Sequence, residues 1–342
     1  MTPVGGPALP KLALVGAGAV GLALGARLAA AGVDVAVLAR TAAAARRSAR
    51  DGIAGRDPAT DEEIEARVST AATSPAEIED LASRTALLCV RAPDTATVVA
   101  ELARTAPAIA VACAQNDVDN EDVAAAVFDR VVGVVVRQTC TRTSPRSALA
   151  LGRGRIVVGP ASAAASGDAR ALAAAFRAAG FDVGESPDVR ADKWLKLCIN
   201  LMSVPNALVR RGEHASEAFV EIKARLLEEA RDALAAAGVA ARSCDGRDRS
   251  LDEEIVFQRA SAAAGTSARD LPLYNAVWAA LRYGAPLEAD LYHERIVALA
   301  RAHGVAAPMN ARALDLALRA RREGRGPESA RCADFLDGIH AA

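Results

Sequence analysis

A chain of 342 residues with 52% hydrophobic and 24% charged residues has room for about two globular domains and is too apolar to be disordered. Its net charge of -1 lacks the basic surplus that nucleic acid or an anionic membrane would select. Pairs such as Arg46-Arg47 and Arg321-Arg322 therefore read as solvated helix faces.

The opening MTPVGGPALPK is short, rich in Pro and Gly, and runs straight into a strand signal, which fits neither a signal peptide nor a transit sequence. Lys11-Leu-Ala-Leu-Val15 then leads into Gly16-Ala-Gly-Ala-Val-Gly21, an Ala/Leu-rich helix ending near Gly32, and a second strand over Asp34–Arg40. Strand, glycine turn, helix and strand within ~30 residues is the dinucleotide-binding βαβ unit. Gly16 makes the turn, Gly18 lets the backbone approach a pyrophosphate with Ala19 and Val20 opening the helix beside it, and Gly21 allows close helix–strand packing. The second strand ends in Arg40 rather than an acid. A cation there suits the 2′-phosphate of NADPH/NADP+ over the bare ribose of NADH, the competing reading being an exposed strand-end cation.

Short apolar runs at 85–90, 108–113, 131–136 and 154–159, with one more at 181–184, continue the α/β alternation as buried strands. After Pro187 nearly everything has helical periodicity, broken at Gly212, around 241–249, near Gly265, at 284–286 and at 304–308. The spacing predicts a Rossmann domain over 1–187 followed by an all-helical substrate domain over 188–342. The six cysteines, at 89, 113, 140, 198, 244 and 332, have no C-x-x-C pair and no nearby His at ligand spacing, so they read as reduced thiols with no metal site. No window approaches ~18 uninterrupted apolar residues of membrane character, and a cytoplasmic protein is expected.

The helix over 192–202, DKWLKLCINLM, is apolar almost all round, yet Lys196, Asn200 and Ser203 recur at i, i+4 and i+7 on one face. Lysine occurs only at 11, 193, 196 and 223 in a chain that otherwise writes arginine, which makes an ammonium here more conspicuous. The stripe either pairs with a carboxylate of the helical domain or lines a cavity, and the expected cavity is the interdomain cleft.

The chain resembles the ketopantoate reductase (2-dehydropantoate 2-reductase) family over essentially its whole length. The resemblance rests on Gly16–Gly21, Gln115-Asn116, Trp194-Leu-Lys196 through Asn200, Leu287-Glu288-Ala-Asp290, Ala302-His-Gly304 and Pro308. It implies a Rossmann domain followed by an all-α domain of the 6-phosphogluconate dehydrogenase C-terminal type, NADPH as cofactor, a small 2-oxo acid as substrate, and a monomer or homodimer. By the same resemblance Lys196 is the catalytic lysine, Glu288 binds the forming hydroxyl, and Asn200, Asn116, Ser203 and Asn275 belong to the substrate site. Arg91 and Gln115 join the cofactor-binding set.

Departures from the family pattern gather on the substrate wall. Arg91 replaces a lysine, Asp117 a glycine, Val204 a second asparagine, and His293 an asparagine. Ala276 stands near where a carboxylate-binding serine is usual. An imine- or opine-type reductase, or a dehydrogenase of secondary metabolism acting on a bulkier carbonyl, is the competing expectation, and a non-catalytic NADP(H)-sensing protein the more distant one. His293 is read as a helix-surface or supporting residue, Cys198 as core, and Tyr274 and Trp278 as either core or a hydrophobic wall.

Overall fold

The computed structural model describes residues 9–57, 62–150, 154–263, 275–284, 287 and 289–339. The chain divides into two compact units, Met1–Val189 and Arg190–Ala342.

The first unit is a doubly wound α/β structure. Its strands are β1 (Leu12–Val15), β2 (Val35–Leu38), β3 (Ile53–Asp57), β4 (Glu62–Ala66), β5 (Thr70–Ala72), β6 (Thr85–Leu88), β7 (Ala110–Cys113), β8 (Val131–Arg137), β9 (Cys140–Arg142), β10 (Ser147–Ala150), β11 (Arg155–Pro160) and β12 (Asp182–Glu185). The helices are α1 (Ala19–Ala30), α2 (Ala42–Asp51), α3 (Thr95–Thr105), α4 (Asn120–Ala125) and α5 (Ser166–Ala178). The main sheet runs β12-β11-β8-β7-β6-β1-β2-β5. Only the β8/β11 pair in it is antiparallel.

Both faces of this sheet are covered, which is why its strands read as unbroken apolar runs rather than alternating ones. Leu12, Leu14, Val35 and Val37 pack with Leu22, Leu24 and Leu28 on one side. Ala13, Val15, Ala36 and Leu38 pack with Val99, Leu102 and Phe128 on the other.

A second sheet, β4-β3-β10-β9, was not foreseen from the sequence. Its β3 and β10 pair in parallel with Gly55 opposite Ala148, 93 positions further along the chain, a long-range pairing that no local pattern announces. Its β4, Glu62–Ala66, is rich in glutamate and gives no strand signal by composition.

The second unit is helical among its described residues: α6 (Val189–Leu201), α7 (Ser203–Leu208), α8 (Glu217–Ala237), α9 (Leu251–Ala263), α10 (Ala276–Tyr283), α11 (Ala289–Ala302), α12 (Pro308–Arg322) and α13 (Cys332–Leu336). The long α8 is capped by Ser216, whose hydroxyl accepts from the Phe219 N–H, and ends at Gly238 in the left-handed conformation. Its buried face, including Phe219, Ile222, Leu226 and Leu227, is the apolar spine of the unit. The helix expected to run unbroken through Met202 instead stops at Leu201 and restarts at Ser203. Pro205 is the physical reason, because it supplies no N–H to the carbonyl four residues before it.

Candidate active site

Each unit carries a distinct half of the expected chemistry. In the first, β1 delivers the chain into Gly16, whose φ of +99° is open to glycine and strained for other residues. Gly21 lies against this turn so tightly that a Cβ built on it would stand 2.0 Å from the Gly16 carbonyl oxygen and 3.2 Å from Cys89 Cβ. Gly18 is different. It is the N-cap of α1, with no side chain capping the helix, and a Cβ there would meet nothing nearer than the Cys89 carbonyl oxygen at 4.0 Å.

Residues 16–20 remain half-buried while Gly21 to Leu28 are buried, so the turn and the first amides of α1, at Ala19 and Val20, face an open mouth. A helix N-terminus with unsatisfied N–H groups and no intervening side chain fits a pyrophosphate. The missing side chain at Gly18 leaves room for such a group as well.

Arg40 lies two residues past the end of β2, after the buried Ala39, and is exposed. The next residue, Thr41, caps α2 by accepting from the Ala44 N–H at 3.2 Å, which fixes the turn from which the Arg40 guanidinium projects. Arg46 is exposed and Arg47 half-buried along α2. Arg91, just past β6, is half-buried and pairs with Asp94 at 3.3 Å.

The segment after β7 is more enclosed than its sequence suggests. Gln115 is buried and donates through Nε2 to Thr95 Oγ1 at 3.0 Å, and Thr95 donates in turn to Asn120 Oδ1 at 2.7 Å. Asn120 closes the circuit by donating to the Asp117 backbone carbonyl at 3.2 Å. Asp117, standing where the family pattern has glycine, is buried and accepts from the Val118 N–H at 2.8 Å, so its carboxylate helps to fold the loop. Asn116 is the half-buried residue between these two.

In the second unit, α6 buries Trp194, Leu195, Leu197, Cys198 and Leu201. Its half-buried positions in the last two turns are Lys196, Ile199 and Asn200, and the stripe continues into α7 as Ser203 and Asn206. The polar face read from the i, i+4, i+7 spacing is thus the less buried one. Burial pushes the Cys198 thiol up to about 12, which keeps it protonated and inert in the core.

Along this face the groups differ in what they are committed to. The Ser203 hydroxyl donates to the Asn200 backbone carbonyl at 2.5 Å and spends its proton on ending the helix. The amides of Asn200 and Asn206 have no hydrogen-bond partner among the described residues. Asn206 had no place in the sequence reading, and the break at Pro205 is the signal that could have revealed it, since a fresh helix start changes which residues share a face.

Val204 is fully buried in the core, whereas Ala276 is exposed at the start of α10. Asn275 is the N-cap of α10: its Oδ1 accepts from the Trp278 N–H at 2.9 Å and its Nδ2 donates to the Ser203 carbonyl at 2.8 Å. Its side chain therefore ties α10 to the start of α7. Trp278 is half-buried, with Nε1 3.4 Å from Glu328 Oε1. Glu288 and Tyr274 lie outside the described residues.

Two features of this unit escaped the sequence. The more deeply buried lysine of α6 is Lys193, 2% exposed, beside Asp192, whose carboxylate accepts from the Cys244 N–H at 3.1 Å. His293, expected at a helix surface or in support of the site, is wholly enclosed instead, and burial pushes its pKa down to about 4. The cause of the difference is that α11 packs against both α8 and α12, leaving this side no access to water.

Comparison with known proteins covers most of the chain. Residues 12–163 match the family described as ketopantoate reductase PanE/ApbA, and residues 188–320 match its C-terminal domain. A 2-dehydropantoate 2-reductase of Halobacterium salinarum is 26% identical over 257 residues, 74% of this chain and 80% of that protein. Among solved structures, a PanE/ApbA family ketopantoate reductase from Ralstonia eutropha JMP134 superposes with a TM-score of 0.72 at 22% identity, covering 92% of this chain and 99% of that one. D-mandelate dehydrogenase with NADH and anilino(oxo)acetate has a TM-score of 0.74 at 17% identity, covering 92% and 99%. At these identities the two likenesses establish the fold.

Proposed function

The chain belongs to the ketopantoate reductase PanE/ApbA family, and on that premise we propose that it is an NADPH-dependent reductase of the carbonyl of a small 2-oxo acid. Membership makes it a nicotinamide-dependent oxidoreductase acting on a CH–OH/C=O pair. The observation that carries the finer reading is the Lys196–Asn200 face, a cation and an uncommitted amide one turn apart on a helix whose other sides are buried.

The reduced nicotinamide, when bound, supplies the hydride. The amides that open α1 and the gap at Gly18 hold the pyrophosphate, and the exposed Arg40 guanidinium takes the 2′-phosphate by charge-assisted hydrogen bonds. Asn116 orients the nicotinamide end. As hydride adds to the carbonyl carbon, the C=O π pair moves onto oxygen, and the Lys196 ammonium stabilises the growing charge and transfers an Nζ proton to it. Lysine serves where arginine would not, because only lysine gives up a proton readily near neutral pH. Asn200 binds the substrate carboxylate, and Glu288 takes the hydroxyl by family resemblance. The neutral lysine is then reprotonated from water.

The small, exposed Ala276 at the start of α10 favours a second reading, in which the acid carries a bulkier side chain than ketopantoate or the reacting bond is an imine. Both readings are tested by following NADPH oxidation with ketopantoate, aromatic and branched 2-oxo acids, and cyclic imines, for the wild type and Lys196→Ala. Turnover of ketopantoate that is lost in the variant supports the first reading, and turnover of only a bulkier acid or an imine supports the second. Binding of NADPH with no turnover of any compound would leave a nucleotide-sensing role.

A further inference from the structure

The loops that follow β1, β6 and β7 leave the main sheet side by side. These strands run parallel, and their last residues, Val15, Leu88 and Cys113, are register partners in turn. The chain stays joined one residue further: Cys89 N–H donates to the Val15 carbonyl at 2.8 Å, and Ala114 N–H to that of Leu88 at 3.0 Å. Strand order reverses at β1, with β2 on one side and β6 on the other, which is where an open α/β sheet takes its ligand. With the 2′-phosphate at Arg40 beyond β2 and the pyrophosphate at the turn beyond β1, the nicotinamide half of the cofactor extends over the loops beyond β6 and β7. Asn116 belongs to the second of these, two strand spacings or roughly 10 Å from the glycine turn.

A single buried hydroxyl ties those two loops together. Thr95 opens α3 at the end of the loop beyond β6 and is 1% exposed. Its partners beyond β7 are Gln115 Nε2 at 3.0 Å and Asn120 Oδ1 at 2.7 Å. The direction of each bond follows from the far end. Asn120 Nδ2 donates to the Asp117 carbonyl at 3.2 Å, which turns the amide oxygen toward Thr95. That oxygen requires a donor, and the hydroxyl has one proton to give, which leaves Thr95 Oγ1 as acceptor for the Gln115 N–H.

The residues held in this way stand on both sides of Asn116. Gln115 precedes it and Asp117 follows it, and both are buried together with Asn120. The Asp117 carboxylate, taking the Val118 N–H at 2.8 Å, closes the turn between Asn116 and Asn120. Removing the Thr95 hydroxyl would deprive Gln115 of an acceptor and Asn120 of a donor in an enclosed place, where a lost hydrogen bond costs most.

We propose that Thr95 is a positioning residue for the nicotinamide end of the cofactor: its hydroxyl holds the loop beyond β7 against the loop beyond β6 and so sets where Asn116 presents its amide. The proposal rests on the reading of Asn116 as the residue that orients the nicotinamide. At 1% exposure Thr95 acts through the loop and not on the cofactor itself.

Two substitutions separate the hydroxyl from the bulk around it. Thr95→Val keeps the shape and removes both hydrogen bonds, whereas Thr95→Ser keeps the hydroxyl and gives up a methyl group. The first readout is a pair of equilibrium titrations of the full-length protein, with NADPH and with 2′-phospho-ADP-ribose, which is the same molecule without its nicotinamide ring. Thr95→Val is expected to bind NADPH about tenfold more weakly and 2′-phospho-ADP-ribose within about twofold of wild type, because the glycine turn and Arg40 are untouched. With any carbonyl or imine that the wild type reduces, kcat should fall on the order of 100-fold, the cost of a misplacement of about 1 Å. Thr95→Ser should restore both quantities to within about threefold. Asn120→Ala opens the same chain of bonds at its other end, should repeat the pattern, and stands in for Thr95→Val if that protein does not fold. An equal loss of affinity for both ligands overturns the proposal, as does wild-type NADPH affinity together with wild-type kcat. So does a Thr95→Ser protein no better than Thr95→Val. If the wild type takes NADH, the same comparison is made between NADH and ADP-ribose. A wild type that binds the cofactor and reduces nothing defeats the reductase reading instead, and the paired titrations then decide the role of Thr95 alone.

Discussion

Adding a single methyl group at Gly21 or at Gly18 should have opposite consequences three residues apart. At Gly21 the new Cβ would stand 2.0 Å from the Gly16 carbonyl oxygen, against an ordinary carbon–oxygen contact of about 3.3 Å. The missing 1.3 Å, roughly, must come from moving α1 off the turn, because the obstructing atom is backbone and Cys89 Cβ stands at 3.2 Å nearby. Overpacking of this kind costs about 1–3 kcal/mol where side chains can yield, and a backbone obstacle puts Gly21→Ala at the upper end. About 3 kcal/mol lowers the melting temperature of a domain of this size by roughly 6–12 °C. At Gly18, φ is -81° and the nearest atom is 4.0 Å away, so Gly18→Ala should melt within about 2 °C of wild type. Its methyl group would nevertheless occupy the mouth before α1 and weaken NADPH binding by about tenfold or more. Differential scanning calorimetry and titration of NADPH fluorescence read the two effects separately. Wild-type NADPH affinity in Gly18→Ala would refute the assignment of that mouth to the pyrophosphate, and a wild-type melting temperature in Gly21→Ala would refute the packing argument.

Lys196→Ala should lower kcat by about 10²–10⁴-fold while leaving the NADPH dissociation constant unchanged, as measured by steady-state kinetics beside equilibrium titration. Arg40→Ser should weaken NADPH by about 10–100-fold, the worth of a charge-assisted contact, and leave NADH unaffected; equal loss for both cofactors would return Arg40 to the role of a surface cation. His293, with a folded-state pKa pushed down to about 4 from 6.5 by burial, makes stability pH-dependent. Its contribution is intact above pH ~6.5 and is lost as pH falls toward ~4, because the unfolded chain binds the proton first, and the full loss is about 3 kcal/mol. Burial pushes Glu229 up, which acts in the opposite sense, so the measurement is the difference between wild type and His293→Asn in urea denaturation from pH 7 to pH 4. Glu229→Ala, which removes the acceptor of three N–H groups at the start of α12, should cost about 2–4 kcal/mol in the same assay.

The glycine turn, the apolar strands of the main sheet and the change to helix after Pro187 were legible because each is a local signal: a spacing, a run, a period. The Lys196–Asn200 face was legible for the same reason, being a periodicity within one helix. The sheet β4-β3-β10-β9 was not, because its strands are short, partly charged, and paired with segments far away in the chain. Nor was the end of α6 at Leu201, although Pro205 was there to suggest it.

The sequence by itself determined the apolar strands of the main sheet, the glycine turn and the identity of the polar groups on α6. Only the tertiary structure decided which of those groups remain uncommitted. Ser203 and Asn275 spend their side chains on helix ends, Asp117 on its own loop, and His293 on a buried bond to Asn310, while Asn200 and Asn206 keep their amides. The reason is that a polar side chain's partners are set by what packing brings beside it, and those neighbours come from distant parts of the chain. Spacing along one helix records which residues share a face, and nothing in it records what that face will meet.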